Sequence, residues 1–464
     1  MLLFSIVVYL VFTVLLGYWA SRKVKTTPDF LLAGRNLPVF LSASALFATW
    51  FGSETVFGAS AEFLNGGLYA VIEDPFGAAL CLVLFGMFFA RKLYQMNLLT
   101  LGDFFRQRFG KRAELVASFF LAPPYVGYIA AQLVAMGLIL NAVAGMEVWQ
   151  GVLLSALVVT GYTFVGGMWA ISITDFVQSI IIVSGLVVLA IVMARQAGGA
   201  GQVLSAMEPG TLKFLPAPNA REITAYLAAW SVLGLGSIPS QDVFQRAMSS
   251  GSSKIAVRSC YIAAGLYLTV AMLPLFISLC ARQLYAGQLP GDLQLALPNM
   301  VLMHTAMPVQ ILFFGSLLSA IMSTTSSAIL APAAIFSENL IKPIIGHRLT
   351  DAQLLAITRL AILLFSAVGT VMACIRSNIY DLVAESSILS LVSLFAPLVF
   401  GLYWKRANSV GAVSAMLAGM ASWIFFEWFY PLSVPSLVPS GTISILFMLI
   451  GSGAGAMYRG RKVL

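Results

Sequence analysis

The chain has 464 residues, of which 60% are hydrophobic and only 9% are charged, and its formal net charge is +8. This composition excludes a water-soluble globule, because too few polar side chains exist to cover one, and we expect a single integral membrane domain over residues 1–464. The sequence contains no nucleophile elbow, zincin helix or phosphate loop, so an enzyme is not expected.

Long apolar runs recur from end to end, each near the ~20 residues that are needed to cross ~30 Å of hydrocarbon. They predict an all-α polytopic membrane protein with about thirteen spans. The first run lacks a small-residue cleavage site and is followed by further spans, which indicates an anchor rather than a removable signal peptide. The predicted spans lie near 2–21, 38–62, 67–96, 113–144, 148–168, 172–195, 222–248, 256–281, 306–341, 351–375, 379–404, 408–430 and 440–459.

The distribution of basic residues predicts the orientation. Most of the 26 Lys and Arg residues follow spans one, three, seven, nine, eleven and thirteen, beginning with Arg22, Lys23, Lys25 and Arg35. Positive loops stay on the cytoplasmic side, so we expect the N-terminus outside and the C-terminus inside a cell membrane. The net positive charge is then a consequence of topology, and a nucleic-acid partner is not expected.

Span two contains small and polar residues at the depth where a lipid-facing helix would be aliphatic. The Gly52-Ser53 step and the carboxylate of Glu54 predict that this helix breaks inside a protein-lined cavity. A break would free the carbonyls of Ala48 and Phe51 to face a cation. Trp50 offers an aromatic wall beside them, although an ordinary buried tryptophan is the alternative.

Other polar residues near span ends leave two interpretations open. Glu73 and Asp74 open span three, either as a solvated helix start or as part of an outer vestibule. Tyr128 in span four lines a cavity or packs between helices. Asp175 follows the predicted Gly166-Gly167 turn in the first turn of span six, where it caps the helix or attracts a cation that is moving inward.

Span seven is interrupted in the same way as span two. The run Gly234–Asp242 contains two glycines and a proline, together with the polar side chains of Ser240 and Gln241, and it cannot continue a regular helix unaided. Arg246 lies one turn after Asp242, which favours a local ion pair between these two residues.

The two interrupted spans lie five spans apart and run in opposite directions. This arrangement is typical of five-plus-five inverted repeats that hold substrate and ions between broken helices. We expect the first repeat over 38–197 and the second over 221–406. An extra first helix and loop over 1–37 and two trailing helices over 407–464 complete the single transporter domain.

Span nine carries a hydroxyl cluster between Ala320 and Ser327, in which the four side chains of interest are Ser323, Thr324, Ser326 and Ser327. At helical spacing Ser323 lies beneath Ser326 and Ser327, with Thr324 alongside. Hydroxyl oxygens are neutral ligands that suit an alkali cation, and lipid tails cannot satisfy them. The alternative is that these hydroxyls bond the carbonyl four residues back and serve helix packing.

Several of these runs resemble the sodium/solute symporter family over nearly the whole chain. The most specific are Tyr162–Ala170, Ile173–Gln178, Ile238–Arg246 and the hydroxyl cluster of span nine. The resemblance implies a LeuT-type fold and a function as a sodium-coupled symporter of a small organic solute, working by alternating access.

The resemblance also implies the ion sites. A sodium ion would be held by the carbonyls of Ala48, Phe51 and Ala320 and by the hydroxyls of Ser323 and Thr324. Some members similar to this chain bind a second sodium ion, which would lie here near Asp175, Ser323, Ser326 and Ser327. The alternative is that Asp175, Ser326 and Ser327 only line the path by which sodium leaves.

Within the family, the chain looks most like choline transporters and is also similar to bacterial sodium/proline symporters. Choline transporters enclose a quaternary ammonium in aromatic residues, and Trp50 and Tyr128 match two of them. Ser240 and Ala78 stand where that group has tryptophan and tyrosine, so a proline-like or monocarboxylate substrate is the alternative. The substrate-binding candidates are Trp50, Glu54, Glu73, Asp74, Tyr128, Ser240 and Gln241.

The sequence disfavours two other classes of function. A sensor built on a transporter core is disfavoured, because no kinase or receiver module is expected after Leu464. A passive channel is disfavoured because the polar residues cluster at two midplane breaks instead of lining a continuous pore.

Overall fold

A computed structural model describes residues 2–22, 26–285, 289–345 and 349–461 of the chain. Most of these residues are helical, and the only β-type pairing among them is a single bridge. The α-helices are α1 (Leu2–Ser21), α2 (Thr27–Leu32), α3 (Val39–Phe47), α4 (Ala59–Ala70), α5 (Ala78–Leu84), α6 (Arg91–Gln95), α7 (Leu101–Phe109), α8 (Lys111–Leu121), α9 (Pro124–Ala144), α10 (Val148–Gln196), α11 (Ala200–Ser205), α12 (Ala220–Gly236), α13 (Gln241–Met248), α14 (Ser253–Leu284), α15 (Ala296–His304), α16 (Met307–Ile335), α17 (Lys342–Ile345), α18 (Asp351–Ile375), α19 (Ile379–Ser390), α20 (Ala396–Tyr403), α21 (Ser409–Ile424) and α22 (Leu437–Arg461). π-Helical segments occur at Glu54–Gly58, Ile72–Gly77, Phe85–Ala90, Phe336–Ile341, Leu391–Phe395 and Phe425–Phe429, and 3₁₀ turns at Ala33–Arg35 and Leu293–Leu295.

Nine helical segments in the described part of the chain are long and apolar enough to cross a bilayer, from Ile72–Gln95 to Leu437–Gly455. α12 and α13 form a further span that bends by 48° at its break. An all-helical polytopic membrane protein is therefore confirmed. The total of about thirteen spans, the orientation and the repeat boundaries stay predictions.

The predicted break in span two is confirmed. α3 ends at Phe47, and residues 48–52 form turns before the chain becomes helical again. A Cβ on Gly52 would lie 3.5 Å from the Thr324 hydroxyl, so the broken segment runs close along α16. The carbonyls of Ala48 and Thr49 accept hydrogen bonds from side chains of other helices, as expected where a helix leaves its last carbonyls free.

Span seven is also interrupted where the sequence predicts. α12 ends at Gly236, and α13 begins at Gln241. Pro239 lies in the gap and cannot donate a backbone hydrogen bond, which prevents a continuous helix. The Ser240 hydroxyl donates to the Ser237 carbonyl at 2.6 Å and so satisfies one of the acceptors at the end of α12.

The two broken spans are joined by main-chain hydrogen bonds. The Leu37 N–H donates to the Ser249 carbonyl at 3.0 Å, and the Gly251 N–H donates to the Leu37 carbonyl at 2.9 Å. These bonds form a parallel bridge between Leu37 and Ser250. Because Leu37 precedes α3 and Ser250 follows α13, the bridge ties the start of one half-helix to the end of the other.

Spans five and six are joined through a kink. α10 runs through both spans, and its helical geometry is interrupted at Gly167, where φ is +64°. A Cβ there would lie 2.6 Å from the Phe30 ring, so both the backbone conformation and the space require glycine. Asp175 lies well beyond Gly167, so the prediction that it stands in a first turn and caps the helix is wrong.

Candidate functional site

The hydroxyl cluster of α16 faces the break in span two. The Thr324 hydroxyl lies 2.9 Å from the Ala48 carbonyl oxygen and 3.1 Å from the Ala320 carbonyl oxygen, and it donates toward both. All three residues are buried, and the Phe51 carbonyl belongs to the same broken segment as Ala48. Three of the predicted sodium ligands therefore converge on one point between two helices.

Ser323, the other predicted hydroxyl ligand, points to a different neighbour. Its hydroxyl donates to Oδ1 of Asp175 on α10, and both side chains are fully buried. The structure thus brings Ser323 and Asp175 together, as the resemblance to symporters implies. Ser323 lies one residue before Thr324 and connects the two predicted ion sites.

Ser326 and Ser327 both make the bond that the helix-packing alternative predicts. The Ser326 hydroxyl donates to the Met322 carbonyl at 2.8 Å, and the Ser327 hydroxyl donates to the Ser323 carbonyl at 3.2 Å. Ser327 also accepts a hydrogen bond of 2.6 Å from Nη2 of Arg246. Ser327 is therefore part of a polar cluster, whereas the Ser326 hydroxyl donates within its own helix.

The predicted local ion pair between Arg246 and Asp242 is wrong. Arg246 is fully buried, and its Nη2 lies 3.6 Å from Oδ2 of Asp175. Asp242 instead accepts a hydrogen bond of 2.8 Å from the Tyr125 hydroxyl. The spacing of Asp242 and Arg246 suits a pair on one helix face. In the structure, however, each side chain contacts a residue of another helix.

A narrow cavity of about 40 Å³, partly open to its surroundings, lies between the two breaks. Among the predicted substrate residues, it contains Trp50, Tyr128 and Ser240. The Tyr128 hydroxyl donates to the Thr49 carbonyl at 2.6 Å, which fixes the ring beside the broken segment. The residues that line this central cavity are Trp50, Leu121, Pro124, Tyr125, Tyr128, Leu233, Gly236, Ser237, Pro239, Ser240, Asp242, Val383, Ser386, Ser387 and Ser390.

The other predicted substrate residues do not line this cavity. Gln241 turns away from it, and its side-chain oxygen accepts a hydrogen bond of 2.7 Å from the Leu101 N–H. Glu54, Glu73 and Asp74 interact electrostatically with one another in a separate acidic group. Their contact with substrate stays a prediction.

The separate acidic group is held by a buried hydroxyl network. Asp74 is fully buried and accepts a hydrogen bond of 2.7 Å from Tyr267, so a solvated helix start is wrong for this residue. The Tyr267 hydroxyl also lies 2.6 Å from the Thr55 hydroxyl. Glu54 is 2% exposed and directly precedes Thr55. This network ties the second half of span two to α14.

Sequence reasoning missed the roles of two residues that the structure brings to these sites. Asp242 lines the central cavity, and Arg246 joins the cluster around Asp175. The signal that could have found Asp242 was its position directly after the break in span seven. Side chains at such positions face the cavity that the broken helices enclose.

Comparison with known proteins finds transporters among the relatives of this chain. The chain is 28% identical to the human high affinity choline transporter 1 over 439 residues, which cover 90% of this chain and 75% of that protein. It is 29% identical to the high-affinity proline transporter PutP of Bacillus subtilis (strain 168) over 442 residues, which cover 89% of each chain.

The fold resembles a solved symporter structure. A Na⁺-coupled sialic acid symporter, in its substrate-bound outward-open state, matches with a TM-score of 0.85 over 98% of each chain, at 19% sequence identity. The predicted LeuT-type fold is confirmed by this likeness. The transporter relatives and the apolar spans together indicate a multi-pass membrane transporter rather than an enzyme. Residues 30–419 match the pattern of the Sodium:solute symporter family, and since they make up more than half of the chain, this protein belongs to that family.

Proposed function

We propose that this protein imports a small organic solute across the cell membrane by sodium-coupled symport with alternating access. Membership of the family supports coupling to sodium in general. The observation that carries the specific site is the Thr324 hydroxyl, which lies between the carbonyls of Ala48 and Ala320. It places oxygen ligands of the type that hard cations prefer on both sides of one point.

Sodium bound at Ala48, Phe51, Ala320, Ser323 and Thr324 would connect α16 to the broken segment of span two. A ligand shifts a conformational equilibrium only when it binds one state better than the other. A site divided between two elements meets that condition, because it is complete only when the two elements are close. Sodium would therefore favour one arrangement of span two and so complete the central cavity.

Gln132 on α9 adds support for this position. A Cβ on Gly52 would lie 3.4 Å from Oε1 of Gln132 and 3.5 Å from the Thr324 hydroxyl. Gln132 is fully buried, and neither of its amide atoms has a hydrogen-bond partner among the described residues. A buried amide without a hydrogen-bond partner costs free energy. A hydrated sodium ion beside Thr324 would give the Gln132 amide such a partner.

The central cavity is the proposed solute site. Trp50 and Tyr128 give it aromatic walls, and serine hydroxyls give it polar ones. Two relatives are named for choline and for proline, and both compounds carry a positively charged nitrogen. We propose choline or a related quaternary ammonium as the solute, with a proline-like or monocarboxylate solute as the alternative.

Asp175, Ser326 and Ser327 were predicted to hold a second sodium or to line the exit path. Arg246 already places a positive charge against Asp175 and Ser327. We therefore propose that these residues belong to the inward path and that one sodium ion is coupled to each solute.

Uptake into proteoliposomes tests the proposed function. Purified protein is reconstituted, and accumulation of labelled choline, proline, glucose and pyruvate is followed with an inward sodium gradient or an equal potassium gradient. We expect one solute to accumulate above equilibrium only with the sodium gradient. Equilibration without accumulation would indicate a passive channel and would contradict the proposal.

A further inference from the structure

The central cavity contains a single acidic side chain, Asp242. It is 3% exposed and lies near the start of α13, directly after the break in span seven. The cavity lining includes no lysine, arginine or histidine. The charge of this carboxylate therefore faces the space that the proposed solute would occupy.

The Asp242 carboxylate is held in a fixed orientation. Its Oδ1 accepts hydrogen bonds from the Tyr125 hydroxyl at 2.8 Å and from the Val243 N–H at 2.9 Å. The Tyr125 hydroxyl in turn accepts a hydrogen bond of 2.9 Å from the Asp242 N–H. Both bonds to the carboxylate use the same oxygen, which leaves Oδ2 for an interaction with the contents of the cavity.

The one basic residue of α13 is engaged with partners other than Asp242. Arg246, one turn later on α13, pairs with Asp175 and donates to Ser327. None of the ion pairs among the described residues includes Asp242. An ionised carboxylate inside the membrane is costly without a partner, and such residues mark substrate or ion pathways.

The rest of the cavity suits an organic cation. Trp50, Tyr125 and Tyr128 line the same space as Asp242, and aromatic faces attract a positively charged nitrogen. On another side, the hydroxyls of Ser237 and Ser387 lie 3.2 Å apart and could bind a hydroxyl or carboxylate group of the solute. Asp242 thus supplies a negative charge to a cavity that has aromatic walls.

We infer that Asp242 is the counter-ion for a positively charged nitrogen on the transported solute, a role that rests on the proposed use of the central cavity as the solute site. The substrate class is then small organic ammonium compounds, either quaternary ammonium ions or zwitterions. Sugars and monocarboxylates are excluded, because they would leave the buried carboxylate unpaired or would repel it.

The test compares each ammonium compound with an isostere that lacks the charged nitrogen. Choline is paired with neohexanol and proline with cyclopentanecarboxylate, and glucose and pyruvate complete the set. Binding to the full chain in detergent is measured as thermal stabilisation, in sodium and in potassium. The variants are Asp242→Asn, which removes the charge, and Asp242→Glu, which keeps it.

We expect choline or proline to stabilise the native chain in sodium, while its isostere does not. Asp242→Asn should weaken binding of that compound roughly 30-fold or more, since truncation of one partner in a buried charge pair costs at least this much. The sodium response of this variant should persist, which shows that it is folded. If Asp242→Asn does not fold, Asp242→Glu must still prefer the ammonium compound over its isostere.

Three results would overturn the inference: equal binding of a compound and its nitrogen-free isostere, unchanged binding in Asp242→Asn, or a response to sodium together with only glucose or pyruvate. The third result would leave sodium symport standing. Conversely, charge-selective binding of choline or proline that is equal in sodium and potassium would keep the role of Asp242 and contradict the proposed coupling.

Discussion

Arg246 and Asp175 face each other inside the helical bundle, with 3.6 Å between Nη2 of the arginine and Oδ2 of the aspartate. Both side chains are fully buried. The pair joins α13, the second half of broken span seven, to α10. In a membrane interior each of these charges requires the other, because neither water nor lipid can neutralise it.

We expect Arg246→Met or Asp175→Leu alone to destabilise the protein by about 3–5 kcal/mol, since each leaves one buried charge without its partner. The double variant should recover much of this loss. Thermal unfolding in detergent measures the difference. The exposed pair Arg376–Glu385 is the matched control, and its removal should cost no more than about 1 kcal/mol. A double variant as unstable as the sum of the single ones would contradict this account.

The initial rate of solute uptake should depend hyperbolically on sodium concentration, as expected for one coupled ion. Arg246 already places its positive charge against Asp175 and Ser327, so a second sodium there would meet electrostatic repulsion. Initial uptake rates over a range of sodium concentrations, with ionic strength held constant, give the shape of the curve. A sigmoidal dependence would show that two ions bind and that the guanidinium moves away during the cycle.

Thr324→Ala should raise the sodium concentration for half-maximal transport roughly tenfold, because one neutral oxygen ligand is lost. Ser323→Ala should act in the same direction. Thr325→Ala is a suitable control, since the Thr325 hydroxyl is buried on the same helix and bonds the Ile321 carbonyl. If the Thr324 and Thr325 variants have the same sodium dependence, sodium binds elsewhere.

Trp50→Ala should weaken solute binding roughly 30-fold while changing sodium binding little, since the indole lines the cavity and contributes both area and an aromatic face. Trp50→Phe keeps an aromatic face and should retain most of the affinity. Thermal stabilisation by solute and by sodium, measured on the same preparations, separates the two effects. A variant that loses both responses equally would not support a specific solute contact.

The sequence predicts the positions of both helix breaks, because glycine, proline and short polar residues act locally on the backbone. It also places hydroxyls at helical spacing on span nine, and the structure turns Thr324 toward the break in span two. The partner of Arg246 could not be predicted in this way. Asp242 is its neighbour on the same helix, but Asp175 lies far away in the chain and approaches only when α10 and α13 pack together.

The burial of acidic side chains was also not predictable from their positions in the sequence. Asp74 lies near a predicted span end, where solvation explains a carboxylate, yet it is enclosed against Tyr267 of α14. The sequence favoured an ion pair between Asp242 and Arg246 on the same helix. In the structure Asp242 instead accepts a hydrogen bond from Tyr125 of α9. In both cases a tyrosine from a distant part of the chain determines what the acidic residue contacts.

The bridge between Leu37 and Ser250 has a consequence for how the transporter can move. Its hydrogen bonds use backbone atoms, so substitutions that exchange one side chain for another leave them intact, and only a proline would remove a donor. The start of α3 and the end of α13 are therefore joined through the main chain, and we expect a movement of one half-helix to be transmitted to the other. This link is part of the polypeptide itself and requires neither solute nor ion.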